Sequence, residues 1–477
     1  MIATPLAEIA VNIGAKMIGN DFIVSKVFTD SRQKNIDGLF VALKGPHFDA
    51  HRFVDNVLQS GAKGVLVDHQ CKTGKPQLIV ANTRTALAEI ARFNRNKSTA
   101  KFVGITGSCG KTTVKEMVAS ILQLSGKILA TKGNLNNDIG VPLTLLDIEQ
   151  DTDFGVIELG ANHAGEIAYT ADITRPDVAL VNNVSAAHLE GFGDLHGVAN
   201  AKSEIYSPLK KDGIAVVNRD DEFFDFFQKK IDTKQITFSV KTQADVMAKY
   251  IQLSENQSSV FELQYQHEKI NIELPVVGLH NVSNALAAAS CCIALDISLE
   301  QIAEGLKNTP VVSGRLLISK LKSGCRIIDD SYNASLASMK AAIDLLKNYS
   351  TPKILVLGDM AELGEYGRES HQQVGEYAGR AGIDKLYTCG VLTQFLQTAF
   401  QDQVTDQRGE HFSQQTELIQ KLKKEAIGGA TILIKGSRSA HMENIVQALM
   451  EDSEVDNNDQ KFFSTTDKSA ASLQGEK

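Results

Sequence analysis

One stretch of the chain, residues 101–120, constrains its fold more than any other. It reads KFVGITGSCGKTTVKEMVAS, an apolar run that passes through glycines into a helix-forming sequence. Residues 102–105 predict a buried strand, residues 107–110 a tight turn, and the pattern from Val114 onward an amphipathic helix. A strand that turns directly into a helix presents backbone N–H groups and the positive end of the helix dipole at the turn. We therefore predict a phosphate-binding loop.

The side chains after the turn suit a nucleoside triphosphate. Lys111 adds a mobile cation, and the hydroxyl of Thr112 is a ligand that magnesium accepts. The strict pattern G-x-x-x-x-G-K-[ST] has glycine where this chain has Ile105, with Gly104 one place earlier. The stretch is thus a variant of the nucleotide-binding loop, and a glycine-rich turn without a ligand is the alternative.

Length and charge point to a multidomain protein that acts on small molecules. A chain of 477 residues exceeds one ordinary core and divides into about three domains. Its formal net charge is −8 without a basic block, which argues against nucleic acid or an anionic membrane as the partner. Residues 1–20 mix Glu8, Asn12 and Lys16 with apolar residues, so we expect an amphipathic helix there and no secretory signal.

Hydropathy and cysteine spacing favour the cytoplasm. The sequence contains no run of about 18 uncharged apolar residues, which excludes a membrane-spanning helix. Its six cysteines are scattered without C-x-x-C spacing, so neither a disulfide framework nor a cysteine zinc site is indicated. We expect a soluble monomer in a reducing compartment, without integral membrane association.

The order of elements predicts an α/β protein of three domains followed by a tail. Residues 1–82 form a small N-terminal α/β domain. Residues 83–312 alternate strands and helices, typical of a central P-loop ATPase domain with a parallel sheet, and period-two alternation at 244–269 adds an antiparallel ribbon. Residues 313–450 repeat the alternation as a C-terminal Rossmann-like domain. Residues 451–477 include seven acidic residues without periodicity and predict a disordered tail.

Polar residues near predicted strand and helix ends are the first candidates for chemistry. Glu158 closes the strand Phe154–Glu158, where its carboxylate suits a magnesium ion, and helix capping is the alternative. His188 follows the next strand, although a lone histidine in such a place usually has a structural role. Asn281 and Asn284 share one face of a helix start, so their amides suit a base edge or cap the helix.

Two polar loops interrupt the N-terminal segment. One contains Asp30, Ser31 and Arg32, and the other contains Asp49. Such loops often carry specificity, but capping and turn chemistry explains the same residues. The residues alone leave both interpretations open.

Ten short motifs follow one another along the chain. They are GSCGKTT (107–113), GNLNNDIGVP (133–142), VIELGANHAGEI (156–167), NNVSAAHLEGFG (182–193), AKSEIY (201–206), GLHNVSNALAA (278–288), GR (314–315), DDSYNA (329–334), GDMAELG (358–364) and KGSRSAHME (435–443). They come in the order seen in the Mur ligases, and the chain resembles that family over about residues 25–450. The loop G-x-x-G-K-T-T is the form that this family uses.

The resemblance implies an ATP-dependent ligase of peptidoglycan precursor synthesis, and hence a role in cell wall formation, cell shape and cell division. ATP would phosphorylate the terminal carboxylate of a UDP-N-acetylmuramoyl-tripeptide. The amine of D-alanyl-D-alanine would then attack the acyl phosphate and form an amide. The N-terminal domain would hold the UDP end of the substrate, the central domain ATP, and the third domain would close over both. The motifs leave open whether the third peptide residue is lysine or diaminopimelate.

Catalytic and metal-binding roles are also implied by the resemblance. Lys111, Glu158, His188 and Lys202 match catalytic positions, and Thr112 joins Glu158, His188 and Lys202 as ligands of two magnesium ions. Lys202 matches a carbamylated lysine, in which added CO2 supplies an anionic oxygen ligand. Its sequence pattern alone predicts a solvated helix residue.

Binding residues are implied in the same way. ATP would contact Gly107, Ser108, Cys109, Gly110, Lys111, Thr112, Thr113, Asn281, Asn284, Arg315 and Asp330. The sugar, peptide and dipeptide substrates would contact Ser31, Arg32, Asn134, Asn137, Asn162, Lys435, Ser437 and Arg438. One loop departs from the family, because Ser335 and Leu336 stand where relatives often carry asparagine and proline.

Two other functions fit part of the pattern. A folylpolyglutamate synthetase-like ligase shares the central domain and the acyl phosphate chemistry, but its phosphate loop is expected nearer the N-terminus than in this chain. A regulatory P-loop protein would bind the nucleotide without ligation. Release of ADP that depends on the ligase substrates separates the alternatives.

Overall fold

The structure is a computed structural model that describes residues 1–186, 189–253, 258–406 and 408–451. Its strands form three larger sheets of five, nine and six strands, in the order in which the chain passes through them. Helices cover these sheets, so the predicted α/β class with three sheet-based units is confirmed. The predicted tail lies, apart from Glu451, outside the described residues.

The N-terminal unit is built on a small mixed sheet. Its strands are β1 (Thr4–Pro5), β2 (Lys16–Ile18), β3 (Ile23–Val24), β4 (Val27–Phe28), β5 (Leu39–Val41), β6 (Gly64–Val67) and β7 (Gln77–Ile79), and its helices are α1 (Leu6–Asn12) and α2 (Val54–Gln59). The main sheet has the order β2-β7-β6-β5-β4, in which only β2 runs antiparallel to its neighbour. A short antiparallel pair, β1 with β3, lies beside it.

The prediction of one amphipathic helix over residues 1–20 is wrong. The helix α1 has only seven residues. Gly14 adopts a left-handed backbone with φ +64°, and the N–H of Ala15 bonds back to the carbonyl of Ala10 over 2.8 Å, a geometry that ends helices. The next residues pair with β7 as strand β2, because tertiary pairing outweighs the local helical pattern.

The central unit carries the predicted phosphate loop. Its strands are β8 (Lys101–Thr106), β9 (Ile128–Ala130), β10 (Phe154–Glu158), β11 (Val178–Val181), β12 (Ile214–Asn218), β13 (Lys234–Ser239), β14 (Val246–Leu253), β15 (Ser259–Tyr265) and β16 (Glu268–Leu274). Its helices are α3 (Thr83–Lys97), α4 (Lys111–Leu122), α5 (Gly140–Leu145), α6 (Glu166–Thr174), α7 (Leu189–Phe192), α8 (Leu195–Ser203), α9 (Phe224–Gln228), α10 (Leu279–Ile293) and α11 (Leu299–Lys307).

The register of the central sheet brings several strand ends to one edge. The strand order is β16-β15-β14-β13-β12-β11-β8-β10-β9, parallel from β14 to β9, with β15 and β16 added antiparallel as the alternation at 244–269 predicts. Glu158 pairs with Ile105 and Val181 with Thr106, so β8, β10 and β11 end at the same level. The phosphate loop leaves β8 at that edge, where open parallel sheets bind ligands.

The third unit repeats the pattern. Its strands are β17 (Leu317–Lys320), β18 (Arg326–Asp330), β19 (Lys353–Gly358), β20 (Lys385–Cys389), β21 (Gly409–Phe412) and β22 (Thr431–Lys435), and its helices are α12 (Leu336–Leu346), α13 (Gly367–Arg380), α14 (Thr393–Gln401), α15 (Gln415–Glu425) and α16 (Glu443–Glu451). The sheet order is β17-β18-β22-β19-β20-β21, parallel except for β17. Asp330 pairs with Lys435 at the end of β18 and β22.

Apolar side chains fill both faces of each large sheet. One core runs from the N-terminal unit through Leu87 and Ile90 of α3 into the central unit, and another lies between the central sheet and helices α4, α10 and α11. Two separate cores cover the faces of the third sheet. Among the described residues, no helix has the length and apolar character needed to cross a membrane.

Candidate active site

The phosphate loop passes through a left-handed backbone conformation at Gly110. This residue precedes α4 with φ +80°. A Cβ atom there would lie 2.6 Å from Asn284 Oδ1 and 2.7 Å from Asn182 Nδ2. Both the backbone conformation and the lack of space therefore favour glycine. The helix begins at Lys111, three residues before the predicted start at Val114.

Two asparagines that follow β11 anchor the loop from the neighbouring strand. The N–H of Cys109 donates to Asn183 Oδ1 over 2.8 Å. The carbonyl of Cys109 accepts from the side-chain amides of Asn182 at 3.0 Å and Asn183 at 3.1 Å. Ser108 adds a backbone bond to the carbonyl of Asn183. The loop is thus fixed before any ligand arrives.

Thr112 and Glu158 meet at the edge of the sheet. The hydroxyl of Thr112 donates to Glu158 Oε2 over 2.9 Å, and Asn136 donates to Glu158 Oε1 over 2.8 Å. Glu158 is buried. Lys111 Nζ lies 2.8 Å from the carbonyl of Gly107, which keeps its ammonium beside the loop. A hydroxyl, a carboxylate and an ammonium group therefore lie together beside the phosphate loop.

Lys202 is buried and not solvated, which corrects the prediction from its pattern alone. Its side chain lies in α8, and the residue is 2% exposed. Among the described residues, its ammonium group has neither a hydrogen bond nor an ion pair. Burial, and then the charge of Lys111, lower the pKa of Lys202 to about 7. A large fraction of this amine is therefore neutral near pH 7.

Asn281 and Asn284 form a chain of amides that ends at the phosphate loop. Asn281 Nδ2 donates to the carbonyl of Val277, Asn284 Nδ2 donates to Asn281 Oδ1, and Asn182 Nδ2 donates to Asn284 Oδ1, over 2.9, 3.2 and 2.9 Å. The residue before the helix is Gly278, and no side chain caps this end. Both asparagines line the central cavity while they link α10 to the loop.

The connection to the third unit lies against the phosphate loop. Arg315 Nη2 donates to Thr112 Oγ1 over 3.0 Å, and its guanidinium stacks 4.4 Å from the centre of the Tyr332 ring. Asp329 accepts from the N–H of Gly314 and from the hydroxyl of Ser331. The connection to the third unit therefore places Arg315 in contact with the Thr112 hydroxyl of the central unit.

An ion pair between a buried lysine and a partly buried aspartate faces the cavity from the third sheet. Lys435 Nζ lies 2.6 Å from Asp330 Oδ2 and also donates to the carbonyl of Asn333. Burial raises the pKa of Asp330, although the charge of Lys435 opposes that shift. Nearby, burial and then the charge of Lys435 lower the pKa of His280 to about 4, so this imidazole is neutral at pH 7.

A cavity of about 1420 Å³ brings most of the candidate residues together. The predicted residues that line it are Ser108, Cys109, Gly110, Lys111, Thr112, Thr113, Asn134, Asn137, Glu158, Asn162, Asn281, Asn284, Arg315, Asp330, Lys435 and Arg438. Three others, Gly107, Lys202 and Ser437, do not line it. His188 lies outside the described residues.

Ser31 and Arg32 also lie away from this cavity. Arg32 is exposed, and its guanidinium pairs with Asp30 at 2.9 Å. The N–H of Arg32 bonds to the same carboxylate, which is the turn chemistry that the sequence allows. Asp49 likewise accepts from the N–H of His51 at the start of a short helical turn.

Sequence reasoning missed several residues that shape the site. Asn136 holds Glu158, Asn182 and Asn183 hold the phosphate loop, and Tyr332 supports Arg315. The pair Asn182 and Asn183 directly follows a buried strand, so its position at the sheet edge is the signal that could have identified it.

Comparison with known proteins follows the same division of the chain. Residues 105–292 match the family described as Mur ligase middle domain, and residues 314–438 match the one described as Mur ligase, glutamate ligase domain. The UDP-N-acetylmuramoyl-tripeptide–D-alanyl-D-alanine ligase of Escherichia coli (strain K12) is 44% identical over 458 residues, which cover 94% of this chain and 99% of that protein.

Solved structures of similar proteins share the fold along most of the chain. The crystal structure of MurF from Acinetobacter baumannii superposes with a TM-score of 0.88 at 34% identity, covering 94% of this chain and 99% of that one. A second structure from that organism (TM-score 0.84, 34% identity, coverage 94% and 99%) is described as UDP-N-acetylmuramoylalanyl-D-glutamyl-2,6-diaminopimelate–D-alanyl-D-alanyl ligase. MurF ligase from Thermotoga maritima in complex with ADP gives a TM-score of 0.80 at 26% identity, covering 89% and 97%.

Proposed function

The chain belongs to the Mur ligase family, and we propose how its central cavity carries out the ligation that its relatives are named for. It is an ATP-dependent ligase that adds D-alanyl-D-alanine to UDP-N-acetylmuramoyl-tripeptide in peptidoglycan synthesis. The observation that carries this conclusion is the 44% identity with a ligase of that specificity across 94% of this chain. A folylpolyglutamate synthetase-like ligase does not account for a match of that extent.

The chain binds ATP, and the loop at residues 107–113 is the proposed seat of its phosphates. The support is the fixed loop at the start of α4, where backbone N–H groups and the helix dipole favour an anion. Lys111 would leave the carbonyl of Gly107 to contact phosphate oxygens. Asn281 and Asn284 line the same cavity and are proposed to adjoin the base.

The residues around Thr112 and Glu158 fit magnesium. A buried carboxylate and a hydroxyl lie within 2.9 Å of each other beside the loop, and such hard oxygen donors are the ligands that magnesium prefers. His188 and Lys202 are the further proposed ligands. Magnesium, when bound, would offset the negative charge of the phosphates.

Lys202 fits carbamylation for a physical reason. CO2 adds only to a neutral amine, and the pKa of this buried lysine is lowered to about 7. The carbamate replaces an unpaired buried ammonium by an anion, which a neighbouring metal ion and Lys111 would stabilise. An ordinary ammonium at this place would repel the same cation.

The reaction follows from the chemistry of the two substrates. A carboxylate oxygen of the tripeptide attacks the γ-phosphorus of ATP, and the bond from that phosphorus to the β-bridging oxygen breaks to release ADP. The amine of D-alanyl-D-alanine then attacks the carbonyl carbon, loses a proton, and phosphate leaves as the C–O bond breaks. Lys111 and Arg315, which lie at the loop, are proposed to stabilise the transferring phosphoryl group.

The three units are proposed to divide this work. Residues 1–82 hold the UDP end of the substrate through Ser31 and Arg32, residues 83–312 carry ATP, and residues 313–450 contribute the dipeptide side. Asn134, Asn137 and Asn162 line the cavity on the central unit, where the peptide carboxylate would lie. Lys435, Ser437 and Arg438 are the proposed contacts on the third unit.

We propose that the accepted tripeptide ends in diaminopimelate. The support is the printed name of the Acinetobacter baumannii ligase, which is 34% identical to this chain. Assaying the diaminopimelate and lysine tripeptides side by side tests this. We expect a higher kcat/KM for the diaminopimelate form, and a preference for lysine would contradict the proposal.

Mass spectrometry of the product tests the proposed function. With ATP, magnesium, the UDP-tripeptide and D-alanyl-D-alanine, we expect a product whose mass equals that of the UDP-tripeptide plus that of D-alanyl-D-alanine minus one water. Recovery of the UDP-tripeptide and the dipeptide unchanged after ATP has been consumed would exclude ligation.

A further inference from the structure

A cluster of histidine and aspartate side chains lies in the N-terminal unit at the end of β6. His51 belongs to the helical turn Ala50–Phe53, and Asp68 and His69 directly follow β6. One nitrogen or oxygen atom from each of these three side chains lies within 4.8 Å of the other two. None of the three lines the central cavity. The cluster is therefore separate from the site described above.

The hydrogen bonds of His51 identify which ring nitrogen carries a proton. Its Nδ1 lies 2.6 Å from Asp49 Oδ1, and because a carboxylate only accepts, Nδ1 carries the proton. The backbone N–H of Asp68 donates to Nε2 over 3.0 Å, so Nε2 is assigned as unprotonated. Asp68 Oδ1 nevertheless lies 3.1 Å from the same Nε2. The lone pair of His51 Nε2 thus accepts the Asp68 N–H, and Asp68 Oδ1 in turn accepts from His69 Nδ1, so both atoms are hydrogen-bonded within the cluster.

A metal ion that displaced the Asp68 N–H from His51 Nε2 and the proton from His69 Nδ1 would bind both nitrogens and the carboxylate. His69 Nδ1 lies 2.5 Å from Asp68 Oδ1, and the two imidazole rings stack with their centres 4.8 Å apart. Zinc binds imidazole nitrogen and carboxylate oxygen at about 2.0–2.2 Å in a tetrahedron, which places neighbouring ligand atoms roughly 3.3 Å apart. The 3.1 Å contact between His51 and Asp68 already has nearly that spacing, and the 2.5 Å contact between His69 and Asp68 would lengthen by roughly 0.8 Å on binding.

The surroundings of the cluster also suit a metal ion. A metal-binding histidine typically donates its second ring N–H to a carboxylate, which fixes the ring, and Asp49 accepts from His51 in this way. The side chain of His51 is 6% exposed, whereas that of His69 is 64% exposed. The ion would therefore have a buried side and an open side on which water completes the coordination.

We propose that His51, Asp68 and His69 bind a divalent transition-metal ion of the zinc class, with Asp49 orienting the His51 ring. The ion joins the turn that contains His51 to the loop that follows β6. It is distinct from the magnesium of the ligase reaction and stabilises the N-terminal unit.

Calorimetric titration of the full chain with Zn²⁺ alone, after chelator treatment and in excess magnesium without nucleotide, tests the proposal. We expect His69→Gln and Asp68→Asn to lose one equivalent of tight binding, or to bind it at least about tenfold more weakly. His47→Gln is the matched control, because His47 is an exposed histidine of the same unit outside the cluster. It should bind as the unchanged chain does.

Cobalt substitution supplies a second readout that does not depend on stability. We expect the visible absorption of tetrahedral Co²⁺ in the unchanged chain and in His47→Gln, and its loss in His69→Gln. Equal zinc stoichiometry and affinity in His69→Gln and the unchanged chain would overturn the proposal. Absence of binding by the unchanged chain at micromolar zinc would overturn it as well.

Discussion

Burial decides the chemistry of Lys202. A lysine in a polar helical sequence is normally solvated, and the sequence pattern of α8 gives no sign of its environment. The fold surrounds it so that its pKa falls to about 7. The sequence therefore shows that a lysine stands at this position, but the desolvation that makes its amine reactive arises only from tertiary packing.

Replacement of this lysine tests its role at the residue scale. We expect Lys202→Ala to slow ligation by about 10²-fold or more, because an anionic ligand beside the phosphates is lost. A short carboxylic acid added to the assay should restore part of the rate. Lys211→Ala changes an exposed lysine that follows later in the same sequence segment; it is the control and should leave the rate unchanged. Ligation by Lys202→Ala at the unchanged rate would remove Lys202 from the metal site.

The same residue makes a prediction about pH. The pKa of Lys202 is about 7 in the folded chain and near 10.5 when exposed, so the unfolded chain binds the extra proton between these values. Burial of the ammonium lowers the free energy of unfolding by its full amount below pH 7, and this loss of stability disappears as the pH rises towards 10.5.

We therefore expect Lys202→Met to raise the free energy of unfolding by about 1–4 kcal/mol at pH 6, in buffer free of metal and CO2. The gain should shrink steadily up to pH 10. Denaturant unfolding at several pH values measures it, and a gain that grows with pH would contradict the assignment.

Elements were predicted best where a buried strand is bounded by turn residues. The strand Phe154–Glu158 has the predicted bounds. Short strands such as β9 and β21 have too few residues to give a pattern, and their pairing with neighbours defines them. The helix predicted at residues 1–20 failed for the same reason, since pairing with β7 outweighs a local amphipathic pattern.

A pair of glycines tests the geometry of the phosphate loop at this scale. Gly110 and Gly193 have nearly equal φ values of +80° and +81°, but a Cβ atom at Gly193 would meet no atom of the described residues within 4 Å. Both alanine variants should lose about 1–2 kcal/mol from backbone strain. Only Gly110→Ala should also lose ATP affinity, because its Cβ collides with Asn182 and Asn284. Equal ATP binding by the two variants would contradict this account.

The arrangement of the units could not be deduced from the sequence. Motifs placed Thr112 and Arg315 in different units, but their hydrogen bond depends on how the third unit packs against the loop. Likewise, Cys109 Sγ lies 3.2 Å from Ser335 Oγ across the same junction. Ser31 and Arg32 remain outside the central cavity, so substrate binding through them requires a ligand that extends between the units.

Closure of the third unit is tested by solution scattering. We expect a non-hydrolysable ATP analogue together with the UDP-tripeptide to reduce the radius of gyration, because both ligands lie between units that then close. Arg315→Ala should weaken this change by removing the contact with Thr112. An identical radius with and without the ligands would count against closure.

The central claim is that ATP hydrolysis serves amide formation, and coupled release of ADP and phosphate measures it most directly. We predict rapid formation of both only when the UDP-muramoyl-tripeptide and D-alanyl-D-alanine are present together, with one ADP for each amide formed. Turnover of ATP that continues unchanged when D-alanyl-D-alanine is omitted would contradict the ligase mechanism.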